Sequence, residues 1–170
     1  MPRVRYEPAY VIRPVFVLGL AALLMLAWQG PATAQDTSWT AYAGRWGVGK
    51  DGETSELGFE ARRAMGDRRL DLVGGLAGTA DEAIWLYAGA SRGFEPGSAW
   101  EVRPGFAISV FEEGDGKDLG GTIEFRSSLE VAYRVRPELR FGLLVYHLSN
   151  AGIYDMNPGA NSVVLTFGFH

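Results

Sequence analysis

Cysteine is absent from the chain, and histidine occurs only twice, at position 147 and at the final position, 170. The first absence excludes disulfides, thiolate metal sites and cysteine nucleophiles. The second leaves a single internal imidazole for any acid-base or metal chemistry. After the first 34 residues no apolar run is long enough for a membrane helix. Charge of one sign is also missing: 16 Lys and Arg against 20 Asp and Glu give a net charge of −4, which offers no footprint for nucleic acid.

What is present begins with an export signal. Arg3, Arg5 and Arg13 precede an apolar run from Val15 to Ala27, and Ala32-Thr33-Ala34 supplies the small-x-small pattern of a cleavage site before Gln35. The run is short for a membrane span and is interrupted by Gly19. The chain therefore divides into a cleavable signal peptide over 1–34 and one domain over 35–170, which must be held by burial and backbone pairing alone.

The recurring pattern in that domain is alternation. In "TIEFRSSLEVAYRV", Ile123, Phe125, Leu129, Val131, Tyr133 and Val135 share one parity, and Glu124, Arg126, Glu130 and Arg134 share the other. Period two returns in "LGFEARRA", "EAIWLYAGAS", "AWEVRPGFAISVF", "ELRFGLLVYHLS" and "NSVVLTFGF", and more weakly in "WTAYAGRWGVG" and "RRLDLVGGLAG". Eight strands result. Tight connections ("MGD", "VRPE") alternate with longer polar ones ("KDGETS", "EEGDGKDLGG", "NAGIYDMNPGA"), as in an eight-stranded antiparallel outer-membrane β-barrel with short turns on the periplasmic side. A periplasmic sandwich or lipocalin-like barrel would alternate equally, with the apolar parity inside. Aromatics near strand ends (Trp39, Trp46, Trp85, Tyr87, Trp100, Tyr146) favour the membrane form, whose wall carries interfacial girdles.

Few residues can carry chemistry. "GASRG", 89–93, matches a nucleophile elbow, but no helix pattern follows it, so Ser91 reads as a barrel-strand residue. No metal-ligand spacing is present. His147 and Ser149 share the parity of Leu139, Phe141, Leu143 and Val145, which places two polar groups on the apolar face. Polar groups that face lipid point to function. A final hairpin centred near Tyr154 sets His147 opposite Asn161, so that the three converge on the outer wall near the extracellular mouth.

These residues resemble the outer-membrane lipid A 3-O-deacylases. His147, Ser149 and Asn150 are similar to the family's H-x-S-N signature, Ala151 follows as in many members, and Asn157-Pro158-Gly159 is similar to its loop before the last strand. The resemblance implies an enzyme that hydrolyses an ester-linked 3-hydroxyacyl chain from lipid A in the outer leaflet. Ser149 would be nucleophile and His147 its base, with the Ala151 amide and Asn157 as oxyanion donors. Lipopolysaccharide is the implied partner, the outer membrane the implied location, and no metal or organic cofactor is implied; a homodimer stays open.

One position departs from the family. Fourteen residues after the histidine, where the family carries glutamate, this chain carries Asn161. An amide carbonyl can orient an imidazole but cannot offset the charge of imidazolium, and loss of the acid from a serine triad costs about 10⁴ in rate. Glu124 and Glu130 have lumenal parity and Glu138 lies far down the strand, so Asp155 is the substitute acid within reach. Two readings stay open: a deacylase with an unusual third member, or a catalytically impaired or non-enzymatic barrel of the same fold.

Overall fold

The computed structural model describes residues 37–65, 70–97 and 99–170; the segment read as a signal peptide lies outside them. Eight strands follow in order: β1 (Thr37–Trp46), β2 (Thr54–Ala64), β3 (Leu70–Thr79), β4 (Ile84–Arg92), β5 (Trp100–Glu112), β6 (Ile123–Arg136), β7 (Leu139–Ser149) and β8 (Ala160–Phe169). Each pairs antiparallel with the next, and β8 returns to pair with β1 and closes the barrel. Closure leaves no sheet edge, which a cysteine-free exported chain can use in place of covalent staples. All eight stretches of alternating sequence are strands. The long connections 47–53, 113–122 and 150–159 gather at one end, and the β6–β7 turn at Pro137–Glu138 lies at the other.

Parity decides which side is which. Leu129, Val131, Tyr133 and Val135 on β6, Phe141, Leu143 and Val145 on β7, and Val163, Leu165 and Phe167 on β8 are exposed on the outside. Their neighbours on the adjoining strands are similar: Phe106 stacks against Phe125 at 5.9 Å between ring centroids, and Phe141 lies 5.0 Å from Phe167. A wall this apolar is tolerated only in contact with hydrocarbon.

The lumen takes the charge that the wall excludes. Arg62 binds Glu60 at 2.5 Å and Glu130 at 2.7 Å, and Thr166 donates to Glu130 at 2.7 Å. Arg126 lies between the rings of Tyr87 and Tyr146, 4.4 and 4.2 Å from their centroids, while Tyr87 donates to Glu60 at 2.8 Å. Arg103 joins Asp71 and Glu101. Eight strands enclose a space that side chains must fill, so these groups stay buried and have to satisfy one another. Above them Trp46 stacks on Phe111 and lies tilted against Trp85 at 4.6 Å, and the three buried rings fill that end of the lumen.

That plug corrects part of the girdle argument. Trp39 and Trp100 do stand on the outer wall, but Trp46, Trp85, Tyr87 and Tyr146 are buried inside. Their parity is lumenal, and a narrow barrel needs large rings to fill it. Ser91 also points inward on β4, buried beside Arg103, with no helix after it.

Two outcomes follow from this inversion. Single cysteines placed at 129, 131 or 133 stay unreactive toward water-soluble maleimides in intact membranes; ready labelling of all three contradicts an apolar outer wall. Arg62→Met removes the cation shared by Glu60 and Glu130 and leaves Glu130 with Thr166 alone, so the folded barrel loses about 3–5 kcal/mol, read as a lower denaturant midpoint in detergent micelles.

Candidate active site

The end of β7 and the start of β8 build the site. In the ladder His147 pairs with Asn161 on β8 and with Ser127 on β6, while Ser149 pairs with Phe125. All of these side chains share the outward parity. His147 Nδ1 and Asn161 Oδ1 are 2.8 Å apart, a hydrogen bond in which the ring N–H donates to the amide carbonyl. The hairpin register expected from sequence is the one observed.

Neighbouring backbone fixes which end of the Asn161 amide meets the ring. Asn161 Nδ2 donates to the Val48 carbonyl at 3.4 Å, and the Val48 N–H donates to the Asn161 carbonyl at 3.0 Å. Only the nitrogen end of the amide can face a carbonyl, so the oxygen end turns to His147. The imidazole is thereby held with its proton on Nδ1 and with Nε2 as the basic nitrogen.

Gly159 supports the ring from below. Its φ is +58°, and a Cβ there would lie 2.8 Å from His147 Cε1 and 3.0 Å from the Leu148 carbonyl oxygen. Only glycine fits without moving the histidine. Lys50, from the connection after β1, donates to the carbonyls of Pro158 at 2.5 Å and Gly159 at 3.4 Å and ties that loop down. On the adjacent connection after β5, partial burial and then the nearby Lys50 pull the Lys117 ammonium below its ordinary value, with Asp51 opposing.

Asn150 is fully buried and acts as a staple. Its Nδ2 donates to the carbonyls of Leu119 at 2.9 Å and Met156 at 2.7 Å, and its Oδ1 accepts from Gly152 N–H at 3.0 Å. Its own N–H donates to Asn157 Oδ1 at 3.1 Å, and Tyr154 OH accepts from Ile123 N–H at 3.2 Å. The connections after β5 and β7 are thus one unit above Ser149. Ala151, next in the chain, has φ +54°, a left-handed conformation that a residue with a Cβ adopts only when its surroundings impose it.

His147, Ser149 and Asn161 therefore lie on one wall, and His147 and Asn161 are bonded. Among the described residues no hydrogen bond joins Ser149 to the imidazole. Asp155 is exposed in the loop, and the ring nitrogen that a substitute acid would need is occupied by Asn161. No group of three His, Cys, Asp or Glu side chains that could hold a metal is present among the described residues. A cavity of about 500 Å³ opens at the opposite end beside Arg134, Glu138 and His170. It is remote from the site, which is a feature of the wall. Gly159 was marked in the sequence by its motif, whereas the contributions of Val48 and Lys50 were hidden, because they act on or through backbone atoms about 110 residues away.

A family model described as lipid A 3-O-deacylase (PagL) matches residues 19–170. The chain belongs to this family. The lipid A deacylase PagL of Bordetella bronchiseptica is 29% identical over 119 residues, which span 59% of this chain and 63% of that relative. Among solved structures, the outer membrane enzyme PagL superimposes with a TM-score of 0.57 at 19% identity, covering 78% of this chain and 99% of that one. Neisserial surface protein A superimposes at 0.56 and 13% identity, covering 79% and 96%. Those two likenesses establish the outer-membrane barrel fold. Family membership and the apolar wall place this chain in the bacterial outer membrane.

The staple can be tested without an activity assay. Asn150→Ala leaves the barrel folded but frees both outer connections, so limited proteolysis cuts within 113–122 and 150–159 under conditions where the parent resists. Equal resistance of the two proteins contradicts the role given to Asn150.

Proposed function

We propose that this barrel hydrolyses the ester holding a 3-hydroxyacyl chain on lipid A, with Ser149 as nucleophile and His147 as its base. The observation that carries the reading is the 2.8 Å bond from His147 to Asn161 on the lipid-facing wall, two residues from a serine on the same face. A histidine held there by an orienting partner has no packing role to explain it. The family and the outer-membrane location supply the substrate class.

The steps use this chain's own groups. His147 Nε2 takes the proton of Ser149 as its oxygen attacks the ester carbonyl, and the Asn161 carbonyl holds the ring while positive charge develops on it. The oxyanion is met by the Ala151 N–H, turned by its left-handed backbone, and by Asn157, whose Oδ1 is engaged with Asn150 so that Nδ2 is the donor it offers. Collapse breaks the bond to the sugar oxygen, which leaves with the proton from His147. Water then attacks the acyl-serine with His147 again as base, releasing the hydroxy fatty acid and restoring Ser149.

Asn161 is the position at which a weakly active or inactive barrel would differ from an efficient enzyme. Most of the damage from an acid-to-amide change in a serine triad comes from stabilising the wrong imidazole tautomer. Here the Val48 carbonyl orients the amide and enforces the right one, which leaves only the lost charge. Asp155 is therefore not needed as a substitute acid.

Purified protein in detergent with lipid A as substrate tests these assignments. Ser149→Ala and His147→Ala each abolish deacylation while the folded barrel persists; activity in folded Ser149→Ala removes the nucleophile. Asn161→Asp, which keeps the side-chain length that already reaches Nδ1, raises kcat by about ten- to a hundredfold. An unchanged or lower kcat contradicts the orienting role of residue 161, and a large loss in Asp155→Asn assigns the acid to the loop.

A further inference from the structure

The outward parity of β6 reads Ile123, Phe125, Ser127, Leu129, Val131, Tyr133 and Val135. Apart from the phenol of Tyr133 at the far end, Ser127 is the polar side chain in this series, and it is exposed. Its surroundings on the wall are Phe106 across β5, and Phe125 and Leu129 along its own strand. On the β7 side it stands directly opposite His147. Ladder bonds occupy the nearby backbone, and among the described residues no protein group is hydrogen-bonded to its hydroxyl. A hydroxyl facing hydrocarbon without a partner is unfavourable, so its partner must come from the lipid side.

The register says which part of a substrate lies there. Ser149 pairs with Phe125, so Ser127 is its diagonal neighbour, roughly 7–8 Å away between Cα atoms. β7 runs outward and ends at Ser149, which places the His147–Ser127 level deeper in the bilayer. An acyl chain whose ester carbonyl sits at Ser149 must run in that direction to stay in hydrocarbon. Its first functional group below the carbonyl is the hydroxyl on the second carbon after it. That group passes between His147 and Ser127 before the chain continues over Leu129 and Phe106.

Resting on the deacylase reading, we infer that Ser127 is a specificity-determining residue that hydrogen-bonds the 3-hydroxyl of the departing acyl chain. Ser127 touches the substrate but takes no part in the proton transfers. It lets the site distinguish hydroxylated from plain acyl esters, because a lipid lacking that hydroxyl leaves the serine unpaired in an apolar setting.

The test compares two lipid A substrates in detergent micelles, one with a 3-hydroxyacyl group and one with a plain acyl group of equal length on the same sugar oxygen. Wild type prefers the hydroxylated lipid. Ser127→Ala lowers kcat/KM about five- to tenfold on that lipid and leaves the plain ester unchanged; Ser127→Thr retains most of the preference. Equal losses on both lipids, or no loss on either, overturn the inference while the deacylase reading stands. Wild-type protein that cleaves neither lipid overturns that reading, and the inference with it.

Discussion

Closure of the sheet with its apolar parity outward is the constraint from which the rest follows. Once Leu129, Val131 and their neighbours face lipid, each alternate residue must enter a lumen too narrow to hold bulk water. Buried arginines and glutamates are tolerable there only when opposite charges and tyrosine rings surround them, as they do Arg62 and Arg126 beside Glu60, Glu130, Tyr87 and Tyr146. The aromatic plug of Trp46, Trp85 and Phe111 then seals the outer end. A lumen filled in this way leaves little room for a ligand, and the candidate site lies on the outer wall.

The same inversion gives a polar outer residue its meaning. On a wall facing water, His147 would be unremarkable surface. On a wall facing hydrocarbon it needs partners, and the structure supplies Asn161 beside it and Gly159 beneath it, with the Val48 carbonyl setting the amide's direction. Rigidity comes from the connections. Asn150 fastens the outer loops to each other, and Lys50 holds the Pro158–Gly159 backbone against the ring. Strand ends give position and the connections give rigidity.

Much of this was legible in the sequence because period two is a strict signal. The eight strands, the lumenal parity of Glu124, Arg126 and Glu130, and the pairing of His147 with Asn161 all follow from alternation and one hairpin centre. What alternation cannot carry is the content of the lumen. Trp46, Trp85, Tyr87 and Tyr146 looked like interfacial aromatics because they lie near strand ends, yet their parity already assigned them to the interior. Backbone partners were also out of reach. Nothing in the types of Val48 or Lys50 shows that a carbonyl and an ammonium from the first connection complete a site at the last one. Ser127 went unmarked in the sequence, and only its neighbour across the ladder gives it significance.

The central claim is that this outer-membrane barrel removes one acyl chain from the lipid around it. Mass spectrometry of lipid A from otherwise identical cells, with and without the wild-type chain, measures this most directly. The account predicts a species lighter by one 3-hydroxyacyl group that appears only when the protein is present. Identical lipid A from the two cultures, with the barrel shown to be folded in the membrane, would contradict it.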